Sequence, residues 1–209
     1  MIPRLALPPA PAPAVLALMA LAYVLPGLAG HDPWKAFDVL ALEVAHQMHL
    51  SGDWVVPRIA GEPWLDDPPL YHWIALVFGK LLGWAIPFHG AARLASGVCV
   101  LGALWLLYRT AGAAAPLLLL GSIGLMVHAH EALPELAALA AMCAAYAVLP
   151  RAHERPLAKG AAFGAALGLA FLALGPAVPG ALALAVLAAH ALCAPWRTAR
   201  ALPFLGAAL

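Results

Sequence analysis

The sequence predicts an all-α protein that crosses a membrane several times, and three observations carry that prediction. Hydrophobic residues make up 65% of the 209 and charged residues only 10%, against about a quarter charged in a soluble globular chain. Apolar runs approaching the roughly 20 residues that a bilayer span needs recur along the whole chain. Residues 31–91 break this pattern, holding seven of the ten carboxylates and five of the seven tryptophans. A polar, aromatic insert between apolar spans is where chemistry at a membrane surface would be placed. The expected organisation is a first membrane helix over 1–30, an external loop with amphipathic helices over 31–91, and about five further membrane helices over 92–209.

The net charge of +1 comes from scattered Lys and Arg, so no basic patch for nucleic acid exists. Cys99, Cys143 and Cys193 lie in apolar runs without CxxC spacing, which predicts buried thiols.

Six stretches qualify as spans: Ala12 to Gly30, Ala92 to Tyr108, Ala114 to Val127, Leu133 to Leu149, Gly160 to Leu174 and Val178 to Cys193. A further apolar run starts at Ala201. The first has one basic residue and an apolar core, as a signal peptide has. Its Pro-rich lead and the spans after it favour a retained helix. With Arg4 inside, Arg109, the group Arg151, Arg155 and Lys159, and the pair Arg197 and Arg200 all fall on the cytoplasmic side, as the positive-inside rule requires. The long loop and the turn from His128 to Glu135 then share the other side, with nine of the ten carboxylates between them.

Within the loop, Phe37, Leu40, Val44 and Met48 recur at helical steps and predict an amphipathic interfacial helix with that side toward lipid or the helix bundle. Ser51-Gly52-Asp53 ends it. Trp54-Val55-Val56-Pro57 reads as extended, Ala60-Gly61-Glu62-Pro63 as a turn, and Pro68-Pro69 as the stop before a second helix, Leu70 to Leu82. Tyr71, Trp73, Phe78 and Trp84 suit headgroup depth. Trp34, Trp54, Trp64 and Trp73 read first as interface anchors and second as sugar-stacking platforms.

The run Ser51-Gly52-Asp53-Trp54-Val55-Val56-Pro57, with Gly61-Glu62-Pro63 and Asp66-Asp67-Pro68-Pro69-Leu70-Tyr71, resembles the first external loop of bacterial GT-C glycosyltransferases. These polyprenyl-phosphate-sugar-dependent enzymes include the aminoarabinose lipid A transferases and the protein O-mannosyltransferases. Gly30-His31-Asp32-Pro33-Trp34-Lys35 and His128-Ala129-His130-Glu131 are similar to one bacterial subgroup. The resemblance covers Leu25 to about Gly180 and matches the family's N-terminal half. It implies a GT-C helical bundle in the bacterial inner membrane, with the N-terminus cytoplasmic and the active loop periplasmic. The implied partners are a polyprenyl-phosphate sugar donor and membrane lipids, and the implied reaction moves a sugar to a lipid, glycan or protein acceptor.

That reaction needs a base or electrostatic partner for the acceptor, cations for the departing phosphate, and a groove for the polyprenyl tail. In the family an Asp-Glu pair opens the amphipathic helix, the Asp being the catalytic carboxylate. Ungapped counting puts Phe37 at the Asp and Asp38 at the Glu, so Asp38 or Asp32 would substitute. Asp38 is otherwise a helix-start carboxylate favoured by the helix dipole. The family's Glu-Lys before Pro-Pro is Asp66-Asp67 here, either a divalent-cation pair or a solvated acidic turn. Glu135 keeps a carboxylate where related sequences have Asp. It shares a helix face with Glu131 if the helix runs through Pro134.

The expected catalytic residues are therefore Asp32, Asp38 and Glu135, and the expected substrate-binding residues are Lys35, Trp64, Asp66, Asp67, Tyr71 and Glu131. His128 and His130 are either ligands of a divalent metal ion or interfacial hydrogen-bonding groups. His46, His49 and His72 read as interfacial polar residues. The alternative to an enzyme is a non-catalytic homologue that binds lipid-linked sugar or a membrane partner. A transporter would place more ionisable residues at mid-membrane.

Overall fold

The structure, a computed structural model, describes residues 11–33, 35–193 and 201–208. Arg4, Trp34, Arg197 and Arg200 lie outside the described residues. The rest is almost entirely helical. The first helix, α1, spans Pro13–Val24. It stops six residues short of the expected end because Pro26 has no N–H to continue it, and Gly27 and Gly30 both turn the chain through positive φ.

In the insert, α2 spans Ala36–Ser51 and ends on Gly52 in the left-handed conformation, φ 73°, the cap that glycine favours. Asp53 then closes the turn, its Oδ1 accepting from Val55 N at 2.9 Å and Val56 N at 3.2 Å. These backbone donors hold its carboxyl below the ordinary aspartate value. The Asp of the SGDWVVP run is thus a turn former. A two-residue hairpin pairs β1, Arg58–Ile59, with β2, Glu62–Pro63. Helix α3 spans Leu70–Leu82 as the sequence predicts.

The expected apolar stripe of α2 enters the bundle at Val44 and Met48, and Asp38 is buried with them. The buried residues of this helix are Asp38, Ala41, Leu42, Val44, Ala45 and Met48, while Phe37 is 72% exposed. The stripe that seemed apolar in sequence includes one residue that faces out, and the buried stripe includes a carboxylate. Arg93 explains the buried carboxylate, because its guanidinium, on the helix that starts at Phe88, receives Asp38.

Helix α4, Phe88–Ala111, and a later helix, Pro156–Leu174, are long and apolar enough to cross a membrane. Between them the expected span Ala114 to Val127 is two short helices, α5, Ala114–Leu120, and α6, Ile123–His128. They break at Gly121 and Ser122, whose hydroxyl caps α6 by accepting from Leu125 N at 3.3 Å. Helix α7 spans Pro134–Val148, followed by a 3-10 turn Leu149–Arg151. Pro156–Leu174 is α8, Ala177–Leu192 is α9, and Ala201–Ala208 is α10. Cys99 and Cys143 are buried as expected, but Cys193 caps α9 and is exposed.

One core joins α1, α2, α3, α4, α6 and α7, with Val24, Tyr71, Ala95, Val100 and Ala129 fully enclosed. A second holds α7, α8 and α10 together around Phe163 and Phe204. Gly160 and Gly164 let α10 approach closely, since a Cβ at either would overlap the carbonyl of Phe204 or Ala208. Close backbone approach through small residues is how helices associate in lipid. Gly164→Leu is expected to cost about 1–3 kcal/mol through overpacking. Gly168→Leu, where a Cβ meets nothing within 4 Å, should leave thermal unfolding in detergent unchanged.

Candidate functional site

Sequence positions far apart meet where the insert touches the corner between α6 and α7. Asp38 is buried and takes three hydrogen bonds: Arg93 Nε at 3.0 Å, Arg93 Nη2 at 2.5 Å and the Ala132 amide at 2.7 Å. The remaining arm of Arg93 donates to the His31 carbonyl at 3.0 Å. A bidentate pair with a further amide donor on the carboxylate is the arrangement that makes two buried charges tolerable. It ties the start of the insert, α2, α4 and the corner to one point.

A second tie is neutral. Ser96 donates its hydroxyl to the Glu131 carbonyl at 2.6 Å, so Tyr71 OH must donate to Ser96 Oγ, 2.7 Å away. Burial raises the Tyr71 phenol well above its usual value, which keeps the donor in place. The Glu131 side chain completes the junction, pairing with Lys35 and meeting His128 Nδ1 at 3.2 Å. His130 turns elsewhere: its Nε2 lies 2.8 Å from the Tyr23 carbonyl and donates to it, because a carbonyl can only accept.

Beside this junction lie two adjoining depressions that share Phe37, Leu133 and Glu135. One, about 410 Å³, is an apolar slot of Leu119, Leu125, Leu136 and Leu139, with His128 among its lining residues. The other, about 160 Å³, is acidic and aromatic, lined by Trp64, Asp66 and Asp67. The Trp64 indole donates to Asp67 Oδ2 at 3.3 Å.

The structure therefore brings together Trp64, Asp66, Asp67 and Glu135, with Lys35, Glu131 and His128 alongside. Four expected site residues fall outside, His130 on the Tyr23 carbonyl being one. Asp38 is 1% exposed and Tyr71 0%, both spent on internal hydrogen bonds and out of reach of a ligand. Asp32 is exposed in a separate cleft with His31 and His89, its carboxylate 3.8 Å from His89 Nε2. Glu131 and Glu135 do not share a helix face, because α7 begins at Pro134 and leaves Glu131 in the preceding turn. Glu131 is consequently 8% exposed while Glu135 faces solvent. His128 and His130 have different partners. Among the described residues no three His, Cys, Asp or Glu side chains gather as a metal centre would require. The acidic pair offers a cation two carboxylates, one of them already engaged by Trp64.

Sequence reasoning missed Arg93 and Ser96, and it read His72 as an interfacial polar residue where the structure buries it. Arg93 carried a usable signal, a guanidinium at the start of an apolar run. The sequence places His72 between Tyr71 and Trp73, rings read as headgroup-depth anchors, which put it at the interface rather than in the core. His72 is fully buried, and neither ring nitrogen has a hydrogen-bond partner, though the Ala41 backbone comes near. Burial pushes its pKa down to about 4, with Asp67 opposing the shift. Because the unfolded imidazole takes its proton near pH 6.5, His72 favours the fold fully above that value. As pH falls toward 4 this stability is lost, by roughly 3 kcal/mol in all. Chemical unfolding followed across that range should show the decline, and His72→Phe should flatten it.

The fold is a polytopic helical bundle of GT-C type, with the insert folded against the corner between α6 and α7. The comparisons with known proteins agree. Undecaprenyl phosphate-alpha-4-amino-4-deoxy-L-arabinose arabinosyl transferase 2 of Sodalis glossinidius is 30% identical over 181 residues, 77% of this chain and 31% of that protein. The same-named protein of Pseudomonas fluorescens is 33% identical over 94 residues, 43% of this chain and 15% of that one. The crystal structure of ArnT from Cupriavidus metallidurans in the apo state has a TM-score of 0.73 and 26% identity, covering 92% of this chain and 38% of its own. The structure of that protein bound to undecaprenyl phosphate has a TM-score of 0.71 and 24% identity, covering 93% and 39%. No family model matches the chain. In sequence and in fold, the chain is similar to the N-terminal part of the bacterial aminoarabinose transferases, and it spans about a third of their length.

Proposed function

We propose that this chain forms the N-terminal part of a membrane glycosyltransferase, or acts as a short one, moving a sugar from a polyprenyl-phosphate donor at the outer face of the bacterial inner membrane. The observation that carries this reading is the crevice itself: an apolar slot opens directly onto a pocket with an indole and three carboxylates. The slot has the chemistry for an isoprenoid tail. Trp64 offers a ring for a sugar to stack on, and Glu135 is the carboxylate that would polarise the acceptor. A divalent cation at Asp66 and Asp67 would neutralise the departing phosphate, which two bare carboxylates would repel. The N-terminus is cytoplasmic in this reading, and the acceptor is a hydroxyl or phosphate on lipid, glycan or protein.

One observation favours a second reading. Phe37, where the family resemblance expects the catalytic acid, lies at the junction of the two depressions and is 72% exposed. A chain lacking that acid would hold the lipid-linked sugar without turning it over.

The deciding experiment expresses the chain with any sequence encoded beyond Leu209 and assays sugar transfer from an undecaprenyl-phosphate donor, with and without chelator. Transfer that falls on Glu135→Gln supports the enzyme. Donor binding without transfer supports the second reading, and Phe37→Asp should then create or raise turnover. Absence of donor binding contradicts both.

A further inference from the structure

On the insert, away from the acidic crevice, the chain carries a face of opposite character. A groove of about 430 Å³ is lined by His46, His49, Leu50, Lys80, Trp84 and Phe88. It contains no carboxylate, although the insert as a whole holds seven of the ten in the chain. Phe88 forms the floor, with the His46 and His49 rings each 5.2 Å from its centroid and 6.4 Å from each other. Lys80 Nζ stands 4.9 Å from the centre of the Trp54 ring, a cation–π contact that fixes the ammonium without neutralising it. Among the described residues, no salt bridge reaches Lys80, His46 or His49.

The rim is apolar. Trp84 is 85% exposed, Leu50 65% and Leu81 63%. The Trp84 indole N–H is already used by the Leu81 carbonyl at 2.9 Å, so the ring offers surroundings only its hydrocarbon faces. Aromatic rings of this kind settle at headgroup depth.

From this juxtaposition we infer that the groove is a binding site for the phosphate of an anionic glycerophospholipid, held by Lys80, His46 and His49 with Trp84 and Leu50 in the adjoining hydrocarbon. The complementarity is specific. An ammonium and two imidazole donors face an anion, a zwitterionic headgroup brings its own cation into conflict with Lys80, and a free anion leaves the apolar rim in water. The site is separate from the crevice and does not depend on sugar transfer. Its consequence is orientation: an anionic lipid seated here would anchor the ends of α2 and α3 at the membrane surface, holding the insert steady above the bundle.

Native mass spectrometry of the full chain in detergent, incubated with equal amounts of phosphatidylglycerol and phosphatidylcholine, tests this. Phosphatidylglycerol adducts should predominate, and Lys80→Gln, an exposed substitution, should lower the ratio about fivefold, as expected for one interfacial cation. His46→Ala with His49→Ala should lower it further, with circular dichroism unchanged. Arg58→Gln, which removes a charge elsewhere on the insert, should leave it intact. Equal loss with Arg58→Gln, or an unchanged ratio in Lys80→Gln, overturns the inference. So does full displacement of the lipid by millimolar inorganic phosphate, which would make the ligand a free anion.

Discussion

In the proposed transferase, Glu135→Gln is expected to lower sugar transfer at least about a hundredfold, the usual contribution of a positioned acid or base. The loss falls on kcat, because an isosteric amide keeps the shape of the crevice while removing the charge. Stability should not change, since Glu135 is solvent-facing and makes no hydrogen bond among the described residues. Asp66→Asn and Asp67→Asn act differently if they hold a cation: both raise the metal concentration needed for half-maximal activity and leave the metal-saturated rate nearer to normal. Single-turnover kinetics across these variants separates the two roles. Equal turnover in Glu135→Gln and the parent would remove Glu135 from the chemistry.

Arg93→Met has the largest expected effect on stability. It leaves Asp38 buried at 1% exposure with only the Ala132 amide for company, and breaking one side of a buried pair costs about 3–5 kcal/mol. Asp38→Leu exposes the same deficit from the other side. The double substitution should recover much of the loss, because neither charge is then stranded. Thermal unfolding in detergent measures all three. The cycle also tests position, since Asp38 and Arg93 are what pull Ala132 and His31 together. Additive single losses, with no recovery in the double variant, would mean the two side chains act independently.

Much of this architecture was legible in the sequence. Helix α3 matched its Pro-Pro stop, α2 ended where Gly52 and Asp53 said it would, and the crevice gathered Trp64, Asp66, Asp67 and Glu135. The misses share a physical cause. Periodicity counts apolar residues, so it set Asp38 off the apolar stripe of α2, whereas a bidentate guanidinium on another helix draws that carboxylate into the core. Tyr71 carried a hydroxyl that looked available for substrate, but Ser96, 25 residues later, had already taken it. The expected span from Ala114 to Val127 was apolar enough, yet Gly121 and the Ser122 cap divide it. Long-range hydrogen bonds and local caps decide such cases, and neither shows in a hydropathy profile.

The account depends on the insert and the α6–α7 corner opening onto one aqueous compartment as a single crevice. Thiol labelling tests this directly: with Cys99, Cys143 and Cys193 replaced by Ala, Asp66→Cys and Glu135→Cys are each exposed to a membrane-impermeant maleimide on intact spheroplasts. Both cysteines are expected to label from outside, and a bound polyprenyl phosphate should protect both. Labelling of one from outside and the other only after lysis would contradict the account.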